Sequence, residues 1–141
     1  MILIDTNYLI DFILPPFDAN AEARNQKATA LMLDIEAGRV GAIIPEVVFH
    51  ECFHVLVTRL NAIDVATFVD VFQSILQFHG WEFTREELEV YHRALAIVNA
   101  YPKLEFSDAV IAARAEAHNA ELATFDKRLA KAYGGPIWTG E

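Results

Sequence analysis

The sequence predicts an α/β fold with a mainly parallel central sheet. Short apolar runs of strand-like composition alternate with longer segments of helical spacing along the 141 residues. Turn and helix-start residues separate these segments. The length suits one domain with a sizeable core, and no break in composition marks a linker, so we expect a single domain over residues 1–141.

The first third of the chain contains two predicted buried strands, at residues 1–4 and 41–44. Between them, a short helix over residues 6–14 ends at a pair of prolines, which cannot continue a helix. Residues 21–37 have helical composition, and Gly38 is the predicted C-cap because glycine tolerates the left-handed backbone found there.

The middle of the chain is predicted to be mostly helical. Pro45 suits the first turn of a helix over residues 46–60, because its missing N–H is not needed there. Asp64 caps a second helix that runs to about residue 78, and residues 81–83 form a third strand. The apolar positions that indicate the first of these helices are Val48, Cys52, Val55 and Leu56.

The last third begins with a capping box, in which Thr84 and Glu87 open a helix to about residue 101. Ser107 is the predicted N-cap of a helix over residues 108–118. The remaining predicted elements are a strand at residues 121–124, a helix at 126–132 and a strand at 136–138.

Four acidic residues lie beside these apolar segments, and they are Asp5, Glu51, Asp108 and Asp126. A carboxylate buried alone at such a position is costly. Converging carboxylates repel by about 1 to 4 kcal/mol per close pair, and a divalent cation turns that repulsion into binding. Because Mg²⁺ and Mn²⁺ favour carboxylate and water ligands, we expect a site for one of these ions.

Helix capping is a simpler explanation for three of the four. Asp5, Asp108 and Asp126 each fall near a predicted helix start, where a negative charge gains about 0.3 to 1 kcal/mol. Glu51 lies in mid-helix, where no free backbone donors await it. Four neighbouring polar residues are candidates to orient carboxylates or metal-bound waters, and they are Thr6, Asn7, Ser107 and Thr124.

Composition limits the class of protein. The net charge of −9 argues against broad, sequence-independent nucleic-acid affinity, but not against a metal-dependent nuclease. Hydrophobic residues make up 54% of the chain, which suits an extensive core or a covered apolar surface. No long apolar run or basic leader predicts a membrane span or secretion. The single cysteine, Cys52, excludes an internal disulfide and fits a reducing cytoplasm.

Four stretches of the sequence resemble the PIN domain, in particular the VapC-type ribonuclease toxins of type II toxin–antitoxin systems. They are residues 2–7 (ILIDTN), 44–56 (IPEVVFHECFHVL), 106–113 (FSDAVIAA) and 122–129 (LATFDKRL). The resemblance implies a three-layer α/β/α domain and an Mg²⁺- or Mn²⁺-dependent endoribonuclease. It also implies a homodimer that is held by a cognate antitoxin protein.

By the same resemblance, Asp5, Glu51, Asp108 and Asp126 form the metal-binding quartet. Thr6, Asn7 and Thr124 support it. Two nearby acids compete with these assignments, since Glu46 precedes Glu51 by five positions and Asp11 follows Asp5. Glu46 lies in a first helical turn, where the helix dipole already explains it, and Asp11 suits a solvated helix face.

Residues 50–54 (HECFH) also match the H-E-x-x-H motif of zinc metallopeptidases. His50 and His54 would bind zinc on one face of a helix, with Glu51 as general base. Val57 and Leu60 stand where an extended form of this motif has glycine and a third histidine. This alternative leaves the other three acids unexplained.

Lys127, Arg128 and Lys131 form the main basic cluster, which is either a solvated helix face or a contact for RNA phosphates. Cys52, inside a helix, is more typical of packing than of a nucleophile. A third hypothesis is a non-catalytic acidic module that only binds a partner and has no specific metal affinity.

Overall fold

In residues 1–140, which the computed structural model describes, seven α-helices accompany a small parallel sheet. Strand β1 (Ile2–Leu3) pairs in parallel with β2 (Ala42–Ile43), and Ile2 lies opposite Ala42. Single parallel bridges join Ala42 to Trp81 and Leu122 to Ile137. The predicted parallel pairing is confirmed, but the predicted third, fourth and fifth strands are reduced to these bridges.

The helices follow the predicted order. They are α1 (Thr6–Ile13), α2 (Ala19–Glu36), α3 (Glu46–Phe53), α4 (Val65–Ile75), α5 (Arg85–Ala100), α6 (Phe106–Ala117) and α7 (Lys127–Tyr133). A π-helical segment, His54–Arg59, continues α3 to the predicted end of that helix.

Several helix ends match their predicted signals. Asp64 caps α4 through the backbone N–H of Thr67 at 2.8 Å, and the predicted capping box opens α5. Gly38, with φ +77°, directly follows Ala37, the C-cap of α2. The prediction for α6 is wrong. Its N-cap is Glu105 rather than Ser107, because Phe106 packs into the core and starts the helix earlier than expected.

The burial predicted for the first strand is also wrong. Ile2 and Leu3 remain 39% and 66% exposed, and only Ile4 is covered. In the described sheet β1 pairs on one side only, so it forms an edge. The second strand is buried as expected, with Ala42 and Ile44 both in the core.

Aromatic rings hold α3, α4, α5 and α6 together. Phe49 stacks on Tyr91 of α5 at 4.6 Å between centroids, and it lies 6.1 Å from Phe106 of α6. Phe53 meets Phe68 of α4 at 5.0 Å. Because such packed rings resist rearrangement, they fix the positions of Glu51 on α3 and Asp108 on α6. No helix among residues 1–140 is long and apolar enough to cross a membrane.

Candidate active site

Asp5 lies where β1 turns into α1. Its backbone is extended, with φ −85° and ψ 159°, and it is the N-cap of the helix. Its Oδ1 accepts a hydrogen bond from the backbone N–H of Thr6 at 2.8 Å. The capping explanation is therefore confirmed for Asp5. That bond engages only Oδ1, so Oδ2 is left for another ligand.

Thr6 connects Asp5 to Glu51. The buried Thr6 hydroxyl donates to Glu51 Oε2 at 2.5 Å, across 45 positions of sequence. Short O–H···O⁻ bonds are strong because the acceptor is charged. The structure thus joins the first and second predicted acids through a predicted supporting residue.

The pKa of the Cys52 thiol is sensitive to the charges of Asp5 and Glu51. Burial raises the pKa of its thiol to about 12, and the carboxylates of Glu51 and Asp5 add to the effect. A thiol with that pKa is almost fully protonated at neutral pH and is a poor nucleophile. Cys52 is completely buried, so its role in this structure is packing.

Asp108 and Asp126 form a second pair. Asp108 lies in the first turn of α6, where partial burial raises its pKa and the charges of Asp126 and then Glu105 raise it further. Asp126 is the N-cap of α7, and its Oδ1 accepts from the N–H groups of Arg128 and Leu129 at 2.8 and 3.2 Å. The Asp126 carboxylate is thus close enough to disfavour the ionised form of Asp108.

An open groove lies beside Glu51, the one acid of the two pairs that lines it. It has a volume of about 710 Å³, and Glu51 and Ser107 both line it together with Glu105 and Arg59. Asp108 directly follows Ser107. Asp5 lines a different pocket, together with Asn7 and Asp11.

The carboxylates themselves are more open than the sequence suggested. Asp5, Glu51 and Asp126 are exposed, and Asp108 is half-buried. Burial cost is therefore the wrong reason for singling them out, because Asp5 and Asp126 cap solvent-exposed helix starts and Glu51 is exposed within α3. Within residues 1–140, no three His, Cys, Asp or Glu side chains stand close enough together to hold a metal ion.

The chemical type of the predicted ligands nevertheless suits a hard divalent ion. All four predicted ligands are carboxylates, the preferred partners of Mg²⁺ and Mn²⁺. Asp108 shows the repulsion that a cation would relieve, because Asp126 and Glu105 raise its pKa. The metal site at the quartet stays a prediction.

The competing acids are occupied elsewhere. Glu46 forms an ion pair with Arg114 of α6, and Asp11 pairs with Arg24 of α2 at 3.0 Å. An arginine already offsets each of these charges, so neither carboxylate is left to attract a metal ion.

The histidines of residues 50–54 lie on the groove without forming a recognisable zinc site. Both line it beside Glu51. His50 packs its ring edge against Phe106 at 5.9 Å, and its Nε2 is buried without a hydrogen-bond partner among the described residues. His54 is exposed at the start of the π-helical segment.

The remaining predicted residues are one polar support, Thr124, and the three cations of α7. Thr124 Oγ1 accepts the backbone N–H of Asp126 at 3.0 Å, which ties the Asp126 backbone to Thr124, and the supporting role of Thr124 stays a prediction. The cations Lys127, Arg128 and Lys131 are exposed on α7, and only Lys131 lies in its last turn. Dipole stabilisation therefore explains one of the three.

Sequence reasoning missed two residues near the site. Glu105 adds to the charge around Asp108, and its position three residues earlier on the same helix start is a signal that was available. Lys103 lies at a pocket with Arg128 and Lys131, although it is far from them in sequence. No local pattern predicts that meeting.

A family model for the PIN domain matches residues 2–135, nearly the whole chain. The chain belongs to the PIN domain family. The resemblance drawn from the four motifs is thereby confirmed, together with the three-layer α/β/α fold and its mainly parallel sheet. PIN domains are generally nucleases that use divalent metal ions. No curated protein and no solved structure gives a significant match to the chain.

Proposed function

We propose that this PIN protein is an endoribonuclease that hydrolyses RNA phosphodiester bonds with Mg²⁺ or Mn²⁺. The observation that carries the proposal is the hydrogen bond from Thr6 to Glu51, which joins two predicted metal ligands in a PIN fold. A buried hydroxyl held between two acids is a means of orienting carboxylates, which a solvated helix surface does not need.

The four acids have distinct roles in this proposal. Asp5 and Asp108 would hold the ion, and Glu51 and Asp126 would ligate it directly or through water. The ion supplies charge stabilisation at the scissile phosphate and lowers the pKa of the attacking water. Thr6 donates to Oε2 of Glu51, and in this proposal the other oxygen, Oε1, would accept that water's proton.

Three helix N-termini support the same chemistry. Asp5, Asp108 and Asp126 stand at the first turns of α1, α6 and α7. The positive ends of these helices stabilise the carboxylates without a metal. They also favour an approaching phosphate, which offsets part of the repulsion between an acidic site and RNA.

The biological setting of the proposal is the toxin of a toxin–antitoxin pair. We propose a homodimer in the cytoplasm, bound by a cognate antitoxin that places an arginine or lysine among the acids. Exposed apolar side chains support a covered surface, including Met1 at 78%, Leu3 at 66% and Phe17 at 84% exposure. Light scattering and co-purification with an adjacent-gene product test this part.

The test of the activity is cleavage of a single-stranded RNA by purified protein with Mg²⁺, Mn²⁺, Zn²⁺ or EDTA. We expect cleavage with Mg²⁺ or Mn²⁺, none with EDTA, and none by Asp5→Asn protein. Peptide cleavage that needs zinc and survives Asp5→Asn would establish the metallopeptidase instead. No RNA cleavage, and no calorimetric Mg²⁺ binding above background, would leave a non-catalytic module.

A further inference from the structure

The unpaired cations of this acidic protein are unevenly distributed. Five of its eleven Lys and Arg residues are engaged in ion pairs among residues 1–140. Of the other six, four gather around α7 and the loop between α5 and α6, and they are Lys103, Lys127, Arg128 and Lys131. In a chain of net charge −9, this corner is where a polyanion meets least repulsion.

A pocket opens among three of these cations. It has a volume of about 280 Å³ and is lined by Lys103, Arg128 and Lys131 together with Tyr101 and the loop that follows it. That volume lies just below the range of about 300 to 1,000 Å³ typical of drug-sized ligands. It suits a single flat ring system better than a folded peptide segment.

The apolar part of the pocket has a fixed shape. Tyr101 ends α5 and is 36% exposed, while Leu104 beside it is buried. The N–H of Leu104 donates to the carbonyl of Tyr101 at 3.0 Å, which closes a tight turn. Pro102 within that turn restricts the backbone further. An aromatic ring on a restrained turn is a surface against which a base can stack at low entropic cost.

Asp126 lies at the start of the helix that lines this pocket. The backbone N–H of Arg128 donates to the Asp126 carboxylate at 2.8 Å, and Lys131 lies one turn further along α7. The pocket and one of the four acids therefore share α7, so a single RNA strand can contact both.

We propose that the pocket is a nucleobase subsite for single-stranded RNA, in which Tyr101, Pro102 and Leu104 contact one base. Lys103, Arg128 and Lys131 hold the flanking phosphates. The subsite rests on the proposed nuclease function and deepens it, since it assigns the substrate as unpaired RNA. A base in a duplex is already stacked and cannot enter. The base that fits best sets the sequence preference of cleavage.

The test measures binding of a fluorescently labelled single-stranded RNA by anisotropy, in Asp5→Asn protein so that the strand stays intact. Removing one stacking aromatic weakens such binding by about 5- to 100-fold, so we expect that loss for Tyr101→Ala. Tyr101→Phe keeps the ring and retains affinity. Lys103→Ala lowers the salt slope of binding by about 0.7. The matched control is Arg39→Ala, which removes an equal charge from an exposed ion pair and leaves the affinity unchanged.

The outcomes separate this subsite from the nuclease function. If wild-type protein cleaves RNA but Tyr101→Ala binds it normally and remains folded by circular dichroism, the subsite is wrong and the nuclease stands. If wild-type protein fails to cleave but Tyr101 still governs RNA binding, the subsite stands and the nuclease is wrong. Competition by poly-glutamate as effective as that by RNA, with the same dependence on Tyr101, would overturn the subsite in favour of an acidic-peptide site.

Discussion

The two pairs of acids, Asp5 with Glu51 and Asp108 with Asp126, differ in how the protein stabilises their negative charges. In the first pair, the buried Thr6 gives its backbone N–H to Asp5 and its hydroxyl to Glu51. In the second pair, partial burial and then the charges of Asp126 and Glu105 raise the pKa of Asp108. Both acids of the first pair accept hydrogen bonds from Thr6, whereas in the second pair Asp126 is capped by the N–H groups of Arg128 and Leu129 and Asp108 keeps a raised pKa. A cation would therefore stabilise the second pair more than the first.

The largest expected effect comes from removing a charge of the first pair. Asp5→Asn keeps a good N-cap residue, so the free energy of unfolding should change by less than about 0.5 kcal/mol. A metal ligand supplies several kcal/mol of charge stabilisation in the transition state, so RNA cleavage should fall at least about 100-fold. Initial rates of cleavage at saturating Mn²⁺ measure this.

The matched control for that variant is Asp11→Asn, one helical turn and a half away and paired with Arg24. It removes the same charge and should leave cleavage within about twofold. If both variants lost the same amount of cleavage activity, the protein's net charge rather than metal ligation would explain the loss. Unchanged cleavage by Asp5→Asn would show that Asp5 is not part of the active site.

The next effect comes from breaking the link within the first pair. Thr6→Val keeps the shape but leaves Glu51 without its donor, which should destabilise the fold by about 1 to 3 kcal/mol. Loss of such a supporting bond should also weaken Mn²⁺ binding about 10- to 100-fold. Thermal unfolding and calorimetry measure the two effects.

Thr124→Val is the corresponding change in the second pair. Its hydroxyl only accepts the partly solvated N–H of Asp126, so the loss in stability should stay below about 1 kcal/mol. A Thr124→Val protein as unstable as Thr6→Val would show that the two pairs are held alike.

A smaller effect, of opposite sign, is expected from Asp108→Asn without metal. Because burial and the Asp126 charge raise the folded-state pKa of Asp108, its ionised form destabilises the fold at neutral pH. The variant should therefore be slightly more stable at pH 7, by less than about 1 kcal/mol. As the pH falls through the raised pKa, wild-type Asp108 becomes protonated and the difference disappears.

Denaturant titrations of both proteins in EDTA at pH 7 and pH 4 test this. Saturating Mn²⁺ should reverse the order, because the cation stabilises only the wild-type carboxylate. A variant that is less stable than wild type at pH 7 in EDTA would contradict the account of the second pair.

The smallest effect concerns Cys52, beside the first pair. With a pKa of about 12, its thiol is ionised to roughly one part in 10⁴ at pH 8, and it is buried. Iodoacetamide should leave the native protein unmodified for hours and label it fully in urea, as read by mass spectrometry. Rapid labelling of the native protein would show that local unfolding exposes the Cys52 thiol to solvent.

The sequence predicted the order of the elements because their signals are local. The caps at Asp64 and Thr84 and the proline at position 45 each act within one turn of helix. The strands were overestimated, since their length depends on pairing partners distant in sequence. The predicted burial of Ile2 and Leu3 was wrong for a similar reason. Burial at a sheet edge depends on which distant segments cover it.

The four acids of the candidate site stay a prediction from the sequence, and their contacts could not be predicted at all. Motif spacing indicated the four acids, while nothing local indicated that Thr6 donates to Glu51 or that Lys103 meets α7. These contacts arise from packing between helices. The choice of Glu51 over Glu46 likewise depends on Arg114, which lies 68 positions from Glu46 in sequence.

The most direct test is a crystal soaked in Mn²⁺, with anomalous scattering used to locate the ions. We expect an ion between the two pairs, ligated by Asp5 and Asp108, with Glu51 and Asp126 bound directly or through water. Manganese found only at His50 and His54, or no ordered ion near Asp5 and Asp108 at saturating concentration, would contradict it.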